Sequence, residues 1–431
     1  MQTISEREYQ SRRERLGKKL KQNSLALVCA AKPKIRSNDT EYPYRQNSNF
    51  YYLCGIEEPS SALLFIKKGK KCRVVLFVKE KDATFELWNG KVTGVKKARK
   101  RYKVDEVCAI SKLQSRIEKE MREINRLYYE FADTSDETAI LRKMGSNVYA
   151  HANLSKMIFK MRLYKTPAEI ELIRQGMQIT KKAHHHAMRM CKSGKKEYEL
   201  QAEFEYIFTK NGAYSDAYTT IVAGGDNANT LHYIKNDKEL HAEDLVLIDA
   251  GCEYNYYATD ITRTIPVGGS FSSAQKEIYA LVLHVEKEII AMVKPGALRS
   301  KLQEHAERML CEGMVRLGIL RGSVDKLLKK RKHKKYFPHG IGHYMGLDVH
   351  DPCPYKTKKG KEIPLQAGMV LTIEPGLYLP KNDHSIPKKY RGIGIRIEDD
   401  ILVTKEGYEN LSKEILKELE DIESLYEGCS S

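Results

Sequence analysis

The sequence predicts two domains, an α/β domain followed by an α+β domain, and three observations carry that expectation. At 431 residues the chain exceeds what one ordinary core accommodates. The first part mixes short apolar runs at 25–30, 62–66 and 74–78 with charged, helix-like stretches. Thr166-Pro167-Ala168-Glu169 then joins an N-cap Thr, a Pro at the first helical position and a Glu three residues after the cap. A boundary belongs there, giving domains at 1–165 and 166–431.

In chain order, residues 6–22 are charged with apolar positions at helical spacing, and the three apolar runs read as buried strands. Residues 135–143 read as a polar helix. The helix opened by Thr166 keeps Ile170, Ile173 and Met177 on one face and runs to about Cys191, where Lys192-Ser193-Gly194 ends it. A second helix covers 196–210. Leu245-Val246-Leu247-Ile248 is an apolar run of buried-strand type, and Tyr254, Tyr256 and Tyr257 suit a strand returning beside it. Helices follow over 273–293, stopped by Pro295-Gly296, and over 300–317. The tail returns to strands at 370–373, 394–398 and 401–403. Helices before and between the strands of an antiparallel sheet give α+β for this part.

Composition narrows the class. With 41% hydrophobic and 30% charged residues, and no apolar run of spanning length, the chain reads as a soluble globular protein with no membrane segment. Its start carries acidic residues and no apolar stretch, so neither a secretory nor a transit signal is expected. Nine scattered Cys, never as C-x-x-C, read as reduced thiols in a cytoplasmic protein. The net charge of +17 lies wholly in the first part, where 36 Lys and Arg in residues 1–166 face 19 Asp and Glu. No nucleic-acid-binding pattern accompanies that surplus, so no nucleic acid is expected. The basic run at 329–335 reads as a mobile surface loop.

The chemistry concentrates in acids at strand ends. Asp249 ends the apolar run, and Asp260 lies on the return after Gly251, so an antiparallel pairing brings the two carboxylates together. Buried together they repel, and each is costly to desolvate without a cation or a shared proton. Glu374 follows a second apolar strand and precedes Pro-Gly. Glu398 is placed inside a strand, with Arg396 on its face and Ile395 and Ile397 opposite. His343 stands in a Gly-flanked segment. Four carboxylates and one imidazole describe a site for two divalent cations of the harder or borderline kind. His184-His185-His186 are consecutive on a helix and point about 100° apart, so they do not chelate one ion. Asp399 is expected on the opposite face from Glu398, and Asp399 and Asp400 are both taken as non-ligands.

The motifs IDAGCEYNYYATDITRT, HGIGHYMGLDVHD, TIEPGLY and RGIGIRIEDD resemble the metallopeptidase family with the pita-bread fold, which holds methionine aminopeptidases, prolidases and Xaa-Pro aminopeptidases. The segment 37–59 resembles the N-terminal domain of the Xaa-Pro aminopeptidase branch. The resemblance covers nearly the whole chain, with five ligand motifs in family order. It implies that Asp249, Asp260, His343, Glu374 and Glu398 hold two divalent ions per subunit, usually Mn²⁺. Asp260 and Glu398 would bridge, Asp249 would chelate one ion, and His343 and Glu374 would complete the other.

The resemblance further implies attack by a metal-bridging hydroxide, with Glu374 relaying the proton to the leaving nitrogen. His232, His339 and His350 match family histidines that contact substrate or stabilise the tetrahedral intermediate, and Arg396 matches an arginine that orients the carboxylates. Tyr378, Trp88 and Asp39 are expected at the substrate. Trp88, read from FELWNG as a strand end and turn, would reach with Asp39 from a neighbouring subunit of a homotetramer. The implied activity removes any N-terminal residue that precedes proline. Prolidase, restricted to Xaa-Pro dipeptides, is the alternative. A metal-free scaffold relative is disfavoured because every ligand position is intact.

Overall fold

In the computed structural model, which describes residues 3–427, the chain divides between Arg162 and Leu163 into two compact units. The first is built on a six-stranded mixed sheet. Ser24–Cys29 pairs antiparallel with Ala62–Lys68 and parallel with Arg126–Tyr129. Lys71–Val78 extends one side and Ala150–Asn153 the other. All six residues of Ser24–Cys29 are buried, so both faces of this central strand are covered, as a strand flanked by helical layers requires. One face packs Leu25, Leu27, Leu64, Val75 and Phe77 against Leu113, Ile117 and Leu141 from helices. The opening helix, Glu6–Lys19, is capped by the Ser5 hydroxyl, which accepts from Glu8 N–H. It stops three residues earlier than its charge pattern suggests, because Leu20 is extended.

The second unit opens with Pro167–Met190, whose N-terminus carries the full reciprocal cap between Thr166 and Glu169. Among the described residues its strands pair only antiparallel. They form several short sheets rather than one. Ser273–Ala291 and Arg299–Arg316 are the long helices among them.

Two expectations need correction here. Tyr254 and Tyr257 do not pair with the Asp249 strand. They form their own hairpin, Cys252–Tyr254 with Tyr257–Ala258, because Asn255 and Tyr256 both take positive φ (47° and 71°) and reverse the chain at once. The basic run at 329–335 is not a loop. It comprises the end of helix Val324–Lys329 and a 3₁₀ turn, Lys332–Lys335, tied down by Lys334 to Glu307 and by Lys335 to Asp383.

Candidate active site

The strand Leu245–Asp249 lies between Ile221–Gly224 and Thr262–Pro266, antiparallel to both, with Asp249 opposite Thr262. After Asp249 the chain leaves for the tyrosine hairpin and returns at Asp260, two residues before Thr262. The crossing is tight. A Cβ on Gly251 would lie 1.8 Å from the Thr259 carbonyl oxygen, so only glycine fits. The Asp260 N–H donates to Asp400 Oδ2 at 3.1 Å, which fixes the returning backbone.

A broken ribbon supplies the next acids. Val370–Ile373 pairs with Asp399–Val403, and Gly376–Leu379 pairs with Ile393–Arg396. Between them the ladder is interrupted where Glu374-Pro375 faces Ile397-Glu398. Pro375 has no N–H to give, and the Glu398 N–H turns instead to the Thr262 carbonyl at 3.1 Å. Glu398 therefore sits in the gap between two strands and not inside one, which corrects the sequence reading. Glu374 stands at a strand end as expected. The 341–344 segment runs beside Val370–Ile373, its Ile341 carbonyl accepting from Glu374 N–H and its His343 carbonyl from Thr372 N–H, both at 2.9 Å. That register carries the imidazole to the acids. A Cβ on Gly342 would lie 1.9 Å from the Thr372 carbonyl oxygen.

The five residues line one cavity of about 480 Å³, together with His232, His339, His350 and Arg396. Ligand atoms of Asp260, His343 and Glu398 lie within 4.8 Å of one another. His343 Nε2 is 3.3 Å from Asp260 and 3.8 Å from Glu374. This donor set fits a divalent cation: oxygen-rich, with one imidazole, mostly buried and crowded with negative charge. Burial, and after it the crowding, displaces the acids from their ordinary values. Burial pushes the Glu374 carboxyl up to about 7, while His343 and Arg396 pull the other way. Glu398 is raised well above its ordinary value by burial and then by Asp260 and Glu374. Burial raises Asp249 too, opposed by Arg396. Burial opposes charge on His343, yet the adjacent Asp260 carboxylate outweighs it and raises the ring.

Arg396 organises the acids from behind. It donates to Asp249 Oδ2 at 2.5 Å, to the Thr262 hydroxyl at 3.0 Å and to the Tyr378 hydroxyl at 3.0 Å. Tyr378 is buried and its hydroxyl meets His339 Nε2 at 2.8 Å, so it reaches the cavity through His339. Since that hydroxyl accepts from Arg396, it donates to Nε2, and His339 Nδ1–H donates to the Gly340 carbonyl at 2.8 Å. Burial lowers His339 to about 3, so the ring is neutral. The ring of His350 stacks edge-on to His343 at 4.1 Å.

Three residues escaped the sequence reading. Tyr218 donates to Asp249 Oδ1 at 2.5 Å, Thr262 donates to Glu398 Oε2 at 2.7 Å, and Asp400 holds the Asp260 backbone. Thr262 was findable, because it lies two residues after Asp260. Tyr218 carries no such signal. Asp399 faces away from the cavity, 2.6 Å from Arg263. The three consecutive histidines serve three partners: the Ala250 carbonyl, the Leu416 N–H and Glu203. Trp88 and Asp39 both lie exposed on the first unit. Trp88 is 81% exposed near the end of helix Ala83–Asn89, not at a strand end. Asp39 lies in the turn between Ile35–Ser37 and Thr40–Glu41.

Comparison with known proteins gives this geometry its relatives. The model of metallopeptidase family M24 matches residues 171–405, and that of the aminopeptidase P N-terminal domain matches 9–128. The Xaa-Pro aminopeptidase of Escherichia coli is 42% identical over 438 residues, spanning 99% of this chain and 98% of that protein. Human Xaa-Pro aminopeptidase 3 is 36% identical, spanning 91% and 79%. Among solved structures, zinc-substituted E. coli aminopeptidase P in complex with product superposes with a TM-score of 0.95 at 39% identity, covering 99% of each chain.

Proposed function

The chain belongs to metallopeptidase family M24, with an aminopeptidase P N-terminal domain ahead of a pita-bread catalytic domain, and from that premise we propose that it is an Xaa-Pro aminopeptidase. It hydrolyses the bond between an N-terminal residue and a penultimate proline. The observation that carries this reading is the convergence of Asp249, Asp260, His343, Glu374 and Glu398 on one cavity in a chain matched end to end by Xaa-Pro aminopeptidases.

Those five residues would hold two divalent ions, preferably Mn²⁺, with their carboxylates and one imidazole as the donors. When bound, the ions supply a Lewis-acidic centre that polarises the scissile carbonyl and acidifies the attacking water. Glu374 takes the proton of that water and hands it to the departing proline nitrogen. Arg396 and Tyr218 hold Asp249, and Thr262 holds Glu398, so these two carboxylates need not reorganise as charge develops. His339, kept neutral by burial and oriented by Tyr378, forms with His232 and His350 the imidazole wall against which the peptide lies.

The exposed Trp88 supports a further part of this proposal. Flat aromatic surface left open on the first unit suits a proline ring. We place it, with Asp39, at a neighbouring subunit's cleft in a homotetramer. A cytoplasmic setting accords with eight free cysteines among the described residues, and no helix among them is long and apolar enough to cross a membrane.

The test is hydrolysis of Ala-Pro-Ala beside Ala-Pro, with the products identified by mass. Release of alanine from the tripeptide at least as fast as from the dipeptide is expected. A protein that cleaves only the dipeptide is a prolidase.

A further inference from the structure

A second cavity, of about 500 Å³ and with a surplus of cations, lies in the first unit, and the peptidase reaction does not use it. Its wall carries five cations: Arg13, Lys18, Lys67, Lys70 and Lys103. Two acids oppose them. Glu14 accepts from Gln10 at 3.0 Å and Asp105 from the Val74 N–H at 2.7 Å, so both already serve internal donors. Arg13 is likewise committed, to the Leu53 and Lys103 carbonyls and to Glu6.

Lys67 is different. It lies on the strand Ala62–Lys68, where Leu64 and Ile66 enter the core, and the alternation turns Lys67 to the other face. There it is 7% exposed. Its ammonium has one acceptor, the Lys70 carbonyl at 3.0 Å, and no carboxylate within ion-pair reach among the described residues. An ammonium has three donors, and the one carbonyl serves a single one of them. With Lys18, Lys70 and Lys103 around the same cavity and only Glu14 and Asp105 opposing, the lining favours entry of an anion.

We infer that this cavity is a binding site for a compact small molecule carrying two or more phosphate groups, with Lys67 at its floor and Lys18, Lys70 and Lys103 at its mouth. The volume suits a metabolite-sized ligand. No aromatic side chain lines it, so there is no stacking platform for a nucleobase, and recognition rests on the phosphates.

The experiment is calorimetric titration of the full metal-loaded chain with fructose 1,6-bisphosphate at about 0.15 M salt, with inorganic phosphate as a second arm. The sugar bisphosphate is chosen because it chelates divalent ions weakly. Saturable one-to-one binding with Kd below ~1 mM is expected, weaker for inorganic phosphate. Lys67→Met should weaken it at least ~10-fold, the loss of one charge-assisted contact. Should Lys67→Met not fold, the double reversal Lys18→Glu with Lys70→Glu, at two exposed positions, must produce the same loss. Absence of saturation up to ~10 mM overturns the site. Affinity unchanged in the variants overturns it too, since the anion then lies elsewhere. Single-stranded RNA that binds without being displaced by the bisphosphate would mean that the charge serves an extended surface instead, and would also overturn it.

Discussion

The Thr262 hydroxyl donates to Glu398 Oε2 at 2.7 Å while accepting from Arg396 Nε at 3.0 Å. The same residue's carbonyl accepts the Glu398 N–H at 3.1 Å. One threonine thus holds both the backbone and the carboxylate of an acid that the interrupted ribbon leaves without a strand partner.

Thr262→Val keeps the shape and deletes the hydroxyl. Metal affinity of the chelated protein should fall about 10- to 100-fold, the usual consequence of freeing a ligand from its outer support. Thr262→Ser should restore most of it. Competitive titration with a metal-sensitive dye checks both, and wild-type affinity in Thr262→Val would remove the residue from the site.

Asp260→Ala or Glu398→Ala removes an acid from the cluster with His343. Turnover should drop at least ~10³-fold, because a main electrostatic contribution to the reaction is lost. Steady-state kinetics on Ala-Pro-Ala, with bound metal quantified beside it, measures this.

Metal uptake should depend on pH in a set direction. Burial raises Glu374 to about 7, above its ordinary carboxylate value, so in the metal-free protein the folded state binds this proton more tightly than the unfolded chain does. The contribution of Glu374 to the stability of the metal-free protein is then fully present at low pH and is lost as pH rises from about 4.5 towards 7, where Glu374 ionises without a cation. A cation needs the ionised form, so its binding releases a proton below about pH 7 and apparent affinity climbs with pH up to that point. Calorimetry in buffers of different ionisation enthalpy reads the proton release.

Asp399 and Arg263 form a buried ion pair at 2.6 Å, and all five guanidinium N–H groups are used: on Asp399 and on the carbonyls of Thr262, Glu398, Ile415 and Leu416. Lys417 adds a second cation to Asp399 at 2.5 Å. Asp399→Ala leaves the buried Arg263 without its carboxylate, while Lys417 keeps Glu286 at 2.6 Å, and should cost about 3 kcal/mol or more in unfolding free energy. Denaturant titration of the metal-free protein separates this loss from any effect through the metal.

Trp88→Ala should leave the melting temperature and bound metal unchanged, since the side chain is 81% exposed. Handling of longer Xaa-Pro peptides should weaken, and light scattering should report a tetramer. A fully active monomer would contradict the shared cleft.

The acids were legible because strand ends announce themselves: Asp249 and Glu374 each close an apolar run, and the motifs around them carry the resemblance. The seat of Glu398 was not. Alternation of apolar residues through 394–398 reads as a strand that runs through Glu398, and only the opposing Pro375 reveals why the ladder breaks there. The tyrosine hairpin hid for a related reason, since its turn rests on positive φ at Asn255 and at Tyr256, a residue type that rarely takes it. Tyr218 reaches Asp249 from outside every motif, so no local spacing could have found it.

The central claim is that one cluster of acids and a histidine makes this chain a metal-dependent, proline-directed aminopeptidase. The direct measurement is release of alanine from Ala-Pro-Ala by exhaustively chelated protein, followed as Mn²⁺ is added back. The account predicts no release without metal and activity that rises to saturation at two ions per chain. Full activity in the chelated protein, or none at any loading of divalent metal, would contradict it.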